Sequence, residues 1–202
     1  EIQSNAYRRI SQTLIYLPHF LSWIILAGIL IDLLSPNGGL VNRFLGLFGA
    51  EPIFFLGSNK WFRFTLVFTD VWKEFGFGTI VYLAAITNID PTQYEAATID
   101  GANRFQRIMH VTLPNMRMII VLMMVLSLGN VLNAGFDQVY NMYSEAVYST
   151  GDILDTFIYR LSFKNGLWGQ SAAVSMFKSV VSTLFISVSY LCAYKFADYR
   201  VF

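Results

Sequence analysis

The stretch NIDPTQYEAATIDGANRFQRIMHVTLP, residues 88–114, carries more helix punctuation than any other part of the chain and lies between two long apolar runs. Asp90 is placed to cap a helix, Pro91 takes the first helical position, and Gln93 follows three residues after the cap, as in a capping box. Gly101 suits the left-handed residue that closes a helix. Asn103 offers a second cap, again with a Gln, Gln106, three residues on. Pro114 is expected to stop that second helix, because a proline pushes the residue before it, Leu113, out of the α region. The spacing therefore predicts two short helices hinged at Gly101. Ala96 and Ala97 give the first helix a small patch that another backbone can approach, with Glu95 and Asp100 as acceptors beside it. From the residues alone two readings stand: a surface shaped to dock a partner, or an amphipathic helix pair lying on lipid headgroups.

Outward from this loop, the chain is apolar. It has 202 residues, 55% hydrophobic, 16% aromatic, only 13% charged, and a mean hydropathy of +0.50. Soluble domains carry about 25% charged residues, so the composition excludes a disordered chain, a coiled coil or a nucleic-acid-binding domain and disfavours a soluble enzyme. The formal charge of +1 points to no polyelectrolyte partner. A single cysteine, Cys192, excludes an intrachain disulfide and a Cys-rich metal site, and in an apolar run it reads as a small packing residue.

Crossing about 30 Å of hydrocarbon takes roughly 20 helical residues. Four runs qualify: about 13–34, interrupted by Pro18, His19 and Asp32; 62–86; 118–136; and 174–194. No alternating ten-residue pattern suggests a membrane β-barrel. The expected fold is an all-α polytopic transmembrane helical bundle, 1–202 forming one membrane domain. Four crossings put both chain ends and the 88–114 loop on one side. Arg8, Arg9, Arg104, Arg107, Arg117, Lys195 and Arg200 lie there, against Arg43, Lys60, Arg63, Arg160 and Lys164 opposite. That slight excess of basic residues favours the cytoplasm for the loop. The two outer loops have content of their own. Ser35-Pro36-Asn37-Gly38-Gly39 is a turn cluster ahead of an interfacial or re-entrant apolar patch at 40–48. The 139–171 loop should be helical over 152–163, with Asp152 as cap. The chain starts at Glu1, without an initiating Met or a signal-peptide pattern, which reads as a piece of a longer protein.

Several polar residues fall within the spans. Asp70, Lys73 and Glu74 share a helical face in the second, near Trp72 and Phe75. Charge at that depth marks either a solute pathway, with aromatic rings beside it, or an internal ion pair that locks packing. Asn130, Asn133 and Asp137 follow at i, i+3 and i+7 in the third, with Gly129 and Gly135 among them, which fits a solute-facing polar stripe or interhelical hydrogen bonding. Lys178 is placed to snorkel to the outer interface, and Asp32 lies near the same boundary. His19 and His110 sit on different elements, and neither an H-E-x-x-H nor a G-x-S-x-G pattern occurs, so no catalytic or metal site is assigned.

Glu95-Ala96-Ala97, three residues, Gly101, nine residues, Val111, one residue, Leu113-Pro114 resembles the EAA signature of binding-protein-dependent ABC importer permeases, with Val111 where the family usually has Ile. The string 94–102 is similar to the carbohydrate branch, the maltose-permease-like subunits. Leu34-Ser35-Pro36-Asn37-Gly38-Gly39-Leu40 and Trp72-Lys73-Glu74 resemble permeases for polysaccharide or aldouronate-type sugars. The likeness runs over essentially all 202 residues. It implies a type I importer permease fold of about six spans, two of them N-terminal to this sequence, in a multi-pass protein of the cytoplasmic (inner) membrane. It implies that Glu95, Ala96, Ala97, Asp100, Gly101, Val111, Leu113 and Pro114 couple the spans to a dimer of cytoplasmic ATP-binding subunits. Further implied partners are a second permease subunit and an extracytoplasmic solute-binding protein. Solute would pass Asp70, Trp72, Lys73, Glu74, Asn130 and Asn133. No G-x-x-x-x-G-K-[ST] occurs, so ATP and Mg²⁺ belong to the partner and this chain holds no cofactor. The rival readings are an importer of another solute, such as an amino acid or peptide, and a membrane scaffold or enzyme that meets no ATPase.

Overall fold

A computed structural model describes the backbone of residues 5–197 and the side chains of residues 9–191 and of Tyr194; Arg8, Cys192, Lys195 and Arg200 lie outside the described side chains. Among the described residues every regular element is helical. In chain order these are α1 (Asn5–Phe20), α2 (Trp23–Leu34), α3 (Leu40–Gly46), α4 (Asn59–Thr87), α5 (Pro91–Ile99), α6 (Arg104–Arg107), α7 (Leu113–Gly129), α8 (Phe136–Met142), α9 (Tyr148–Gly151), α10 (Leu154–Tyr159) and α11 (Trp168–Ala197). Two π turns, Ile108–Thr112 and Arg160–Lys164, follow α6 and α10. The chain gathers into two compact units, one of residues up to Phe77 with Asn133–Met176, the other of Gly78–Leu132 with the residues from Phe177 on.

In the first unit the expected continuous span at 13–34 is broken. The helices Arg9–Phe20 and Trp23–Leu34 meet at 102°. Pro18 lacks the N–H that would hold the last turn of α1, and Ser22 restarts the chain as the cap of α2, its hydroxyl accepting from Ile25 N–H at 3.3 Å. α2 packs on α8 around a core of Leu26, Ala27, Leu30, Leu56, Phe62, Met142 and Val147. Phe62 and Val147 are fully buried. Gly151 makes that fit possible, since a Cβ there would stand 2.2 Å from the Phe62 ring. The patch at 40–48 contains the seven-residue α3, anchored by buried Asn42. Its amide donates to the carbonyls of Leu34, Ser35 and Ile53, and its oxygen accepts from Ile53 N–H at 2.8 Å. The helical segment at 152–163 is α10 extended by its π turn. Asp152, expected as a cap, instead accepts from Thr156 Oγ1 at 2.6 Å and grips Arg160 through both carboxylate oxygens at 3.0 and 2.5 Å.

In the second unit α6, the π turn and α7 run together as one 26-residue helix, Arg104–Gly129. The expected third span at 118–136 is thus shifted toward the N-terminus. It ends at Gly129, and Gly135, at φ +70°, starts α8 afresh. The span also begins before Pro114 rather than after it. Arg104–Gly129 and Trp168–Leu191 are each long and apolar enough to cross a membrane, and the bent pair α1–α2 makes a third if taken as one span. The fourth candidate lies in α4, 29 residues long, but every 18-residue window of it contains Asp70, Lys73 and Glu74. Lys73 and Glu74 pair with one another at 3.2 Å, as charges in such a helix need in hydrocarbon.

Candidate functional site

The 88–114 loop is built by its own sequence. Asp90 Oδ1 accepts from Thr92 N–H at 2.9 Å, and that bond holds the carboxyl below its ordinary value. α5 ends in a Schellman closure: Gly101 N–H donates to the Thr98 carbonyl at 3.1 Å and Ala102 N–H to Ala97 at 2.9 Å, with Gly101 at φ +78°. Asn103 and Gln106 complete a reciprocal capping box at 2.9 and 2.8 Å. Gln93 does not complete one with Asp90; its side chain accepts instead from Asn115 Nδ2 at 2.7 Å. Pro114 does not end the second helix either. It sits in the first turn of α7, where a missing N–H is tolerated because the preceding π turn has already released the local i−4 pattern.

Glu95, Ala96, Asp100 and Gly101 are exposed, while Ala97 and Val111 line a cleft of about 350 Å³ with Arg107 and His110. Leu113 and Pro114 lie at the base, exposed on the continuing helix. Sequence reasoning passed over two other residues. Ile99 is 86% exposed and Phe105 69%, the two most exposed large apolar side chains of the loop. Their signal was available: large apolar side chains at positions that neither helix can bury.

In the first unit a cavity of about 500 Å³ collects Asp70 and Glu74 from α4 with Asn133 and Gln138. Gln138 is buried and donates to the Leu66 carbonyl at 2.8 Å and to Thr69 Oγ1 at 2.9 Å. Lys73 lies beneath this surface, 6% exposed. Its ammonium donates to the His19 carbonyl at 2.9 Å and to Glu74 Oε1 at 3.2 Å, and Glu74 Oε2 pairs with His19 Nδ1 at 2.8 Å. Lys73 therefore caps the free end of α1 at the bend, the packing arrangement expected for one of these charges, while Asp70 and Glu74 face the cavity. Trp72 is elsewhere, in an apolar groove with Phe64, Phe68 and Leu30. Asn130 belongs to the other unit and turns its amide back to the Leu126 carbonyl at 3.3 Å. The expected Asn130–Asn133–Asp137 stripe is not one helical face, because the helix stops at Gly129. Gln138 was not singled out from sequence; it lies beyond the point where the third span was expected to end.

Residues 1–201 match the family described as "Binding-protein-dependent transport system inner membrane component". Among curated proteins, Protein LplB of Bacillus subtilis (strain 168) is 41% identical over all of this chain, and the polygalacturonan/rhamnogalacturonan transport system permease protein YteP of the same organism is 38% identical. The chain spans 64% and 63% of their lengths. Among solved structures it is similar to a chain of a bacterial ABC transporter involved in the import of the acidic polysaccharide alginate. The TM-score is 0.94 and the identity 38%, over 97% of this chain and 68% of that one. A second structure of the alginate transporter, in complex with an alginate pentasaccharide-bound periplasmic protein, matches with a TM-score of 0.93 and 38% identity, covering 96% of this chain and 68% of that one.

Proposed function

Because the chain belongs to the binding-protein-dependent transport system inner membrane component family, and is a multi-pass protein of the inner membrane, we propose that it is a permease subunit of an ATP-driven importer of oligosaccharides. The loop 88–114 carries this reading. It is a pair of capped helices whose most exposed apolar side chains, Ile99 and Phe105, stand beside exposed Glu95, Ala96 and Gly101. Apolar side chains this exposed fit an interaction surface, and in this reading the occupant is a cytoplasmic ATP-binding subunit carrying ATP and Mg²⁺. Glu95 supplies the carboxylate for a basic partner across the interface, and Gly101 sets the angle between the helices. Val111, Leu113 and Pro114 join the loop to the span. A second permease subunit completes the path, and a solute-binding protein delivers to the outer loops.

The sugar assignment is supported by the relatives named for pectic and alginate polymers and by the chemistry of the cavity. Sugar hydroxyls both donate and accept, and Asp70, Glu74 and Asn133 offer acceptors and an amide around an opening of about 500 Å³. Lys73 fixes the wall rather than touching solute, and Trp72 lines a separate apolar groove of the same unit. The test is reconstitution of the assembled importer in liposomes, with its binding protein screened by thermal shift against uronate and neutral oligosaccharides. A sugar oligomer should raise the binding protein's melting point and drive ATP-dependent uptake. Shifts with amino acids or peptides alone would overturn the sugar reading, and failure of an ATP-binding subunit to co-purify would overturn the permease reading.

A further inference from the structure

The junction between the 88–114 loop and its span is mechanically weak in its backbone. Within the helix Arg104–Gly129, Leu113 N–H reaches back five residues to the Ile108 carbonyl rather than four. The next residue, Pro114, has no N–H to give. Two consecutive positions therefore lack the ordinary i−4 bond. π turns and prolines are where helices bend. A push delivered to α5 would be lost as bending at this point unless something spans it.

Three side-chain contacts do. The Tyr94 hydroxyl meets the Thr112 hydroxyl, inside the π turn, at 2.9 Å. Asn115, one residue past the proline, donates both to Gln93 Oε1 at 2.7 Å and to the Val111 carbonyl at 2.8 Å. Arg107 Nη1 donates to Thr98 Oγ1 at 3.2 Å. Tyr94, Gln93 and Thr98 all belong to α5, and their partners stand before, within and after the π turn. Two of these bonds, at Thr112 and Asn115, bracket the Leu113–Pro114 step itself.

We propose that Tyr94–Thr112 and Gln93–Asn115 are a brace that turns a compliant joint into a stiff elbow, so that displacement of α5 is carried into the span Arg104–Gly129. This rests on the coupling role proposed above. The four are positioning residues, acting through the helices and not by touching nucleotide or solute.

The experiment uses the full assembled importer in nanodiscs or liposomes and compares wild type with Thr112→Val/Asn115→Ala and with Thr112→Ser. The readout is solute transported per ATP hydrolysed, alongside co-purification of the ATP-binding subunit. The double variant loses three hydrogen bonds, the two of the brace and that of Asn115 to the Val111 carbonyl, which shifts the stiff-to-bent balance roughly tenfold. Transport per ATP should therefore fall about tenfold in the double variant, with the ATPase still bound and still hydrolysing, while Thr112→Ser, which keeps the hydroxyl, stays near wild type. An unchanged transport-to-ATP ratio in the double variant overturns the brace. So does a parallel loss of transport, hydrolysis and subunit binding, which would make these residues shapers of the docking surface only. Wild type failing to retain an ATP-binding subunit would instead overturn the coupling role. Should the double variant not assemble, hydrogen exchange over 108–116 in the permease reads the same joint: faster exchange than wild type supports the brace, and unchanged exchange overturns it.

Discussion

Replacing Lys73 with Met tests whether the charged face of α4 serves packing or solute. Met keeps the length and most of the volume of Lys, so the core loses little contact. The ammonium loses two partners, the His19 carbonyl at 2.9 Å and Glu74 Oε1 at 3.2 Å, and its position 5.4 Å over the Trp23 ring. Removing one member of a fully buried ion pair costs about 3–5 kcal/mol. Two features lower that here. The Glu74 side chain is 44% exposed, toward the polar cavity, and it keeps His19 Nδ1 at 2.8 Å, so its charge is not stranded. What remains is the unpartnered carbonyl at the broken end of α1, and the net cost is about 2 kcal/mol. For a protein of this size that lowers the melting midpoint by roughly 4–8 °C, measured on the importer in nanodiscs against wild type. Adding Glu74→Gln should recover little, because the orphaned carbonyl persists. A Lys73→Met importer melting within about 1 °C of wild type, yet losing sugar uptake, would refute the packing role and return Lys73 to the solute path.

Three further outcomes follow from the contacts. Gly101→Pro and Glu95→Arg should each abolish uptake while leaving membrane insertion intact; Gly101 stands at φ +78°, which proline cannot adopt, and the assay is transport against surface-accessible protein level. Asn42→Ala removes four hydrogen bonds from a buried loop anchor and should cost about 2–3 kcal/mol, read as a lower melting midpoint. At Asp152 burial works to raise the carboxyl, but Arg160 and the Thr156 hydroxyl outweigh it, so the group lies below its ordinary value. A depressed carboxyl contributes stability above its unfolded value of about 3.9 and loses it as pH falls through the folded value. Proteolysis of the 152–164 segment should therefore stay constant from neutral pH down to about 5 and rise below about 4, whereas Asp152→Asn should be cleaved readily throughout.

The parts of the fold that were legible from sequence are those written locally. Asp90, Gly101 and the Asn103–Gln106 box determine the 88–114 loop within a few residues of themselves, and the structure places each cap and turn there. Pro114 misled because a proline fits the first turn of a helix as well as the residue after one, and only the π turn before it decides between them. The break in the first span was hinted at by Pro18, yet the contact made at it, Lys73 with the His19 carbonyl, comes from 54 residues away, which no window of sequence contains. Asp70 and Glu74 were found by their spacing, and the same spacing should have separated them from Trp72, since residues two apart on a helix do not share a face. Asn133 and Gln138 reach the cavity because the helix stops at Gly129; the Gly129-Asn130 pair was the stop signal, outweighed by the apolar residues that continue past it.

If the 88–114 loop seats in an ATP-binding subunit, its exposed first helix lies within bonding distance of that subunit. In the assembled importer with Cys192→Ser, a single cysteine at Ala96 paired with cysteines along the cleft of the ATPase measures this directly by disulfide cross-linking. Efficient cross-links to the ATP-binding subunit are expected, with labelling of the same cysteine only from the cytoplasmic side. A cysteine there that labels from outside the cell, or that joins no ATP-binding subunit in an importer that transports normally, would contradict that seating.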